Sequence, residues 1–198
     1  MADIHTQTAW MAWSNTHSLG DKWSLGTDLQ LRSADDWERV RNVVIRPSLG
    51  YAINGQVTAS LGYMLNRTFD PVVRDTTEQR LWQQLSIAQP LPRLTLTHRL
   101  RLEQRFIERA TQPDVEAVRL RYQLRAQAPM QAPATGASFT RGPYVALQSE
   151  WMGHLAGKKE LNGRTFDQLR AYAGIGWRFS RKADIEAGYQ LQYLNGRA

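Results

Sequence analysis

Alternation of apolar and polar residues with a period of two constrains this chain more than any other feature. From Arg93 to Arg109, Leu94, Leu96, Leu100, Leu102 and Phe106 share one parity, while Thr95, Thr97, Arg99, Arg101, Glu103 and Arg105 share the other. The next segment repeats the pattern, with Val118, Leu120, Tyr122 and Leu124 opposite Arg119, Arg121, Gln123 and Arg125. Toward the C-terminus Leu169, Ala171, Ala173, Ile175, Trp177 and Phe179 alternate with Gln168, Arg170, Tyr172, Gly174 and Arg178. A strand sends successive side chains to opposite faces, whereas a helix would scatter these residues around its axis. Applied throughout, the same test predicts strands at 6–15, 22–33, 38–53, 56–67, 77–89, 93–108, 115–128, 143–155, 166–180 and 184–194. No stretch keeps a helical period.

Turn signals separate these segments, among them Leu19-Gly20-Asp21, Asn54-Gly55, Gln112-Pro113-Asp114 and Asn162-Gly163. Segment 129–142, rich in Ala, Pro and Gly, reads as a flexible loop. Globular strands usually run about 5–6 residues, and a strand that crosses a bilayer needs about 9–11. Long strands joined in sequence predict an all-β fold, an antiparallel up-and-down transmembrane β-barrel of about ten strands forming one domain over 1–198. The longer connections are expected after strands two, four, six and eight, which places both termini on the long-loop side.

Composition excludes several alternatives. Nowhere in the 198 residues is there the run of roughly 20 apolar residues that a membrane-spanning helix needs. Seven Trp, seven Tyr and five Phe are too many for a solvated coil. With no cysteine, disulfide scaffolds and thiolate chemistry are ruled out. The basic residues number 25 against 18 acidic ones, and 21 of the 25 are Arg. The start Met1-Ala2-Asp3-Ile4-His5 lacks the features of a signal peptide, as expected of a cytosolic protein or of a mature exported chain carrying an added Met, and the face assignment below favours the second.

Alternation alone does not say which face points inward. A soluble barrel buries its apolar face, and a membrane barrel turns that face to lipid. Three features favour the second arrangement. Trp23, Trp37, Tyr51, Phe106, Trp151, Trp177, Phe179 and Tyr193 gather near strand ends on the apolar face, where interfacial girdles sit. The polar face carries Arg, Gln and Glu with little Lys, and the planar guanidinium suits a confined, hydrogen-bonded interior. Gly50, Gly62, Gly174, Gly176 and Gly188 lie on the polar face, where small residues relieve crowding. On this reading Arg32, Arg46, Arg80, Arg99, Arg101, Arg105, Arg119, Arg121, Arg125, Arg170 and Arg178 line the lumen with Asp28, Glu78, Glu103, Glu150 and Glu186. Eleven cations against five anions leave an excess of six, nearly the whole net charge of +7.

Several short strings then resemble a known family. These are Glu78-Gln79-Arg80-Leu81-Trp82-Gln83-Gln84-Leu85 and Arg99-Leu100-Arg101-Leu102-Glu103-Gln104-Arg105-Phe106, with Arg46-Pro47-Ser48-Leu49-Gly50-Tyr51, Arg119-Leu120-Arg121-Tyr122, Gln148-Ser149-Glu150-Trp151 and Phe166-Asp167-Gln168-Leu169-Arg170. In their order along the chain they resemble DUF2490, a bacterial family without assigned activity. The resemblance implies an exported outer-membrane β-barrel of Gram-negative bacteria and supplies no activity to carry over. Relatives are expected to continue past the position of Tyr193, to twelve strands in all, and to end on an aromatic. This chain ends Asn195-Gly196-Arg197-Ala198, as a truncated or altered terminus would.

Catalytic patterns are scarce. None of His5, His17, His98 and His154 has a Ser two positions on, the arrangement that a barrel-wall hydrolase would favour. No cluster has metal-ligand spacing, so neither cofactor nor metal is expected. Arg residues that alternate with Leu do not form a nucleic-acid-binding patch. The expectation is a narrow, anion-favouring pore or binding barrel for a small acidic solute, monomeric in a lipid bilayer or in detergent. Arg99, Arg101 and Arg105 would face Arg119, Arg121 and Arg125 as a cationic track. The competing expectation is a non-conducting structural barrel whose loops 67–76, 129–142 and 156–165 bind a partner or surface glycan.

Overall fold

Residues 9–34, 38–131, 139–180 and 182–195 are described by a computed structural model. Ten strands follow one another: β1 Trp10–Ser18, β2 Trp23–Ala34, β3 Arg39–Ala52, β4 Val57–Thr68, β5 Thr76–Pro90, β6 Thr95–Ile107, β7 Val115–Pro129, β8 Gly142–Ala156, β9 Phe166–Ser180 and β10 Ala183–Leu194. Each pairs antiparallel with the next, in the order β1 to β10 in a single sheet. Strands β2 to β10 fall within two residues of the ends that alternation predicts. Only β1 is displaced, to 10–18 from the expected 6–15. Its register is set by the turn at 19–22, which pairs Ser18 with Ser24 and Trp10 with Arg32; residues 6–8 lie outside the described residues.

The sheet curls into a half-barrel whose two edges, β1 and β10, do not hydrogen-bond to each other, so the expected closure is absent among the described residues. With no further strand alongside, every residue of β1 is exposed. Contact across the seam comes from Trp10 of β1, whose ring lies 5.7 Å from the Arg170 guanidinium of β9. Connection lengths also differ from expectation. The link after β2 is short, and the longest, 130–141, follows β7 and so lies at the opposite end of the sheet from the chain termini. Of the expected flexible loop, 132–138 lie outside the described residues.

Local chemistry closes the turns. Asn54 Oδ1 accepts from the backbone N–H of Gln56 and Val57 at 2.9 and 2.8 Å, an Asx-type turn between β3 and β4. Gly157, at φ +73°, opens the β8–β9 connection where a side chain would strike the backbone of Glu116 and Ala117.

The polar face is the concave, buried one. Glu103 is 1% exposed, Glu150 2% and Arg121 6%, whereas Leu147 is 55% exposed and Ile175 61%. Polar side chains on the convex face pair with one another. Tyr63 Oη donates to Gln79 at 2.8 Å, Gln83 and Gln104 exchange amide hydrogen bonds at 3.1 and 3.3 Å, and His98 Nδ1 meets Tyr122 Oη at 2.8 Å.

Aromatic residues divide between the faces. Trp23 packs on Tyr51 at 4.8 Å at one end of the sheet, where Trp177 and Phe179 also stand exposed. Phe106, and Tyr193 stacked on Phe166 at 6.5 Å, mark the other end. Trp151 departs from the expected girdle: it stacks on Tyr122 at 5.7 Å near the middle of β7 and β8, since the two are register partners there. Trp37 lies outside the described residues. On the concave face, glycines receive aromatic rings. Trp82 lies over Gly62, Tyr144 over Gly176, and Tyr172 over Gly174 and Gly188, where an added Cβ would collide with each ring.

Candidate functional site

Strand parity places Arg46, Arg80, Arg99, Arg101, Arg105, Arg119, Arg121, Arg125, Arg170 and Arg178 on the concave face with Glu78, Glu103 and Glu150. Because neighbouring strands pair in register, acids from one strand fall between the arginines of the next. Glu103 on β6 accepts from Arg119 at 2.7 and 3.0 Å and from Arg121 at 2.7 Å, both on β7. Arg80 on β5 reaches the same carboxylate at 3.5 Å. Arg121 also donates to Glu150 on β8 at 2.7 and 3.0 Å, so one guanidinium joins the two most buried carboxylates. Arg99 adds a 2.7 Å bond to Glu150 and a short one to Gln123. Glu78 holds Arg80 at 2.7 Å and Arg105 at 2.6 Å.

These are charge-assisted bonds between groups largely withdrawn from water, where each charge depends on its partners. The six arginines expected to form a cationic track are thus all paired with acids. Arg99, Arg101, Arg105, Arg119, Arg121 and Arg125 all lie within 4 Å of a carboxylate. The charge count changes as well. Asp167 pairs with Arg119 at 3.5 Å, and Asp184 pairs with Arg178 at 3.1 Å. Eleven arginines then face seven carboxylates, an excess of four rather than six.

A cavity of about 870 Å³ occupies the concave side. It reaches from mid-sheet to the end that carries the 108–114 and 157–165 connections, and Arg46, Arg80, Arg99, Arg105, Arg119 and Arg121 line it. The remaining predicted arginines divide. Arg170 joins the lining, but Arg101, Arg125 and Arg178 do not. Arg101 lies over the Trp82 ring at 4.2 Å and donates to Gln84 at 2.8 Å. Arg125 bonds Glu186 at 2.5 Å. Side chains thus fill the end of the concave face nearer Tyr144 and Tyr172. At the cavity mouth, Arg109 ties the two connections together by donating to the Glu160 carbonyl.

Trp10, Gln30, His154 and Asp167 are among the lining residues that were not expected. His154 shares parity with Glu150, so strand reading alone signals its inward direction. It is 2% exposed, with Nε2 3.4 Å from Arg105 and 3.6 Å from Asp167. Asp167 has the parity of outward-facing Leu169 and reaches inward beside a register shift between Met152 and Gly153. Alternation carries no signal for that residue. Among the described residues no group of three or more His, Cys, Asp or Glu could hold a metal ion.

Strand order and burial define the class: an all-β, up-and-down meander curled around a charged concave face, with its apolar face outward. Within that class the chain belongs to the DUF2490 family, described as a protein of unknown function, whose model matches residues 7–198. No curated protein and no solved structure matches the chain.

Proposed function

We propose that this protein is an outer-membrane β-barrel of a Gram-negative bacterium whose arginine-lined interior admits and binds a small acidic solute, without catalysing a reaction on it. The inversion of the sheet carries this reading, with carboxylates and guanidiniums buried and leucines outward. An apolar convex face suits hydrocarbon. The paired Tyr63–Gln79, Gln83–Gln104 and His98–Tyr122 side chains support it, because a polar group facing lipid needs a partner on the protein. In a bilayer the β1 and β10 edges must also be joined, since unpaired backbone groups are not tolerated there. The net cationic excess around the cavity favours anions over cations, focused by low-dielectric walls.

Planar-bilayer recording under a salt gradient tests this. The expected result is a small conductance with a reversal potential on the anion side. Absence of current, or cation preference, removes the pore form. A second reading is favoured by the Glu103–Arg121–Glu150 links, which brace the wall from inside: a non-conducting structural barrel that meets a partner through its loops. Flux that is unchanged on replacing Arg99 by Gln, in a barrel that still folds, would favour that reading.

A further inference from the structure

Ion pairing is uneven around the cavity. On strands β5 to β7 the inward guanidiniums each reach a carboxylate within 4 Å. Across the cavity, Arg32 forms no ion pair among the described residues. It donates through Nη2 to Gln30 at 2.9 Å, and Gln30 donates to Asp28 at 2.8 Å. Asp28 also receives Arg46 at 3.4 Å, so two cations draw on one carboxylate. Arg170 lies 3.9 Å from Glu150, which already accepts from Arg99 and Arg121.

The ring of Trp10 gathers this group. Its centroid lies 4.2 Å from the Arg32 guanidinium and 5.7 Å from that of Arg170. Among the described residues, the buried Nε atoms of Arg32 and Arg46 have no hydrogen-bond acceptor. Like charges collected beside a low-dielectric wall repel one another, and a buried donor without an acceptor is unfavourable. An oxyanion would relieve both. Its oxygens match the planar fork of arginine, and its charge offsets the local excess.

We infer that Arg32, Arg46 and Arg170, with Trp10 beside them, form a binding subsite for a small dianionic oxyanion of the carboxylate or phosphate class. This rests on the anion-binding reading above and gives it a location. The wall of β5 to β8 holds the fold, and the side formed by β2, β3 and β9 holds the ligand. Gln30 sets the Arg32 guanidinium toward the ligand.

Calorimetry on the full chain folded in detergent at low ionic strength tests the assignment, with malonate and inorganic phosphate titrated separately. Saturable binding of either probe is expected, and the probe that binds identifies the class. Arg32→Gln weakens it about tenfold or more, the loss of a charged hydrogen-bond donor. Arg32 has no carboxylate to leave unpaired, so this variant keeps the fold. Arg32→Lys retains charge without the fork and falls between the two. Lys22→Gln, at the opposite end of the sheet over Tyr51, binds as the parent does. Parental affinity in Arg32→Gln overturns the subsite. So does binding of neither probe by a chain that is anion-selective in bilayers. A chain that neither binds nor selects anions overturns the proposed function along with it.

Discussion

At the residue scale, Glu103 and Arg121 are the points on which the concave face depends. Removing one partner of a buried ion pair leaves an uncompensated charge, a loss of about 3–5 kcal/mol. Glu103→Gln is expected to lower stability by that order, read as a shift in the denaturant midpoint of the folded chain. By contrast, Arg67→Gln breaks the exposed Arg67–Asp75 pair at 3.2 Å and should change stability by about 0–1 kcal/mol. Equal effects would mean that the interior network is solvated like the surface. Which acid each arginine meets was not legible in the sequence. Parity assigns Glu103 and Arg121 to one face, but their contact requires the β6–β7 register, and the Glu150 contact requires β7–β8 as well. Outside the strands, Asp70 accepts the backbone N–H of Val72 and Val73, which holds its carboxyl below its ordinary range. A lowered folded value means the turn is favoured above the ordinary carboxylate range and loses that support as pH falls through the lowered one. Asp70→Asn should remove this pH dependence, monitored by exchange of the Val72 and Val73 amides.

At the element scale, parity decides what a substitution does. Leu147 faces outward and Gln148 inward on β8, and both lie near the middle of the strand. A Leu147→Arg change places a charge against hydrocarbon, with an expected loss of about 2–4 kcal/mol in folding into vesicles. Gln148→Arg adds a cation to a cavity that already holds them and should be milder. The reverse ranking would mean that the convex face meets water. Strand positions were legible for β2 to β10 because their alternation is long and bounded by turns. It was weaker for β1, where Trp10 and Trp13 stand on opposite faces. The inward aromatics Trp82 and Tyr144 escaped notice for a related reason. Each is bulky on a face where small residues were expected, and Gly62 and Gly176, which accommodate them, lie on neighbouring strands.

At the scale of the whole molecule, the central claim is an inverted sheet with lipid outside and ionic chemistry inside. Sequence alternation supplied two walls, the scarcity of Lys and the glycines on the polar one pointed it inward, and burial places it on the concave side. The chain contains no cysteine, so a single spin label can be introduced at each position without a competing thiol. Val145→Cys, Ala146→Cys, Leu147→Cys, Gln148→Cys and Ser149→Cys cross the outward and inward faces of β8 in turn. In lipid vesicles, the account predicts that oxygen, which partitions into hydrocarbon, relaxes the labels at 145, 147 and 149 most strongly. A polar nickel chelate should reach those three least. Uniform access to the chelate, or alternation in the opposite phase, would contradict it.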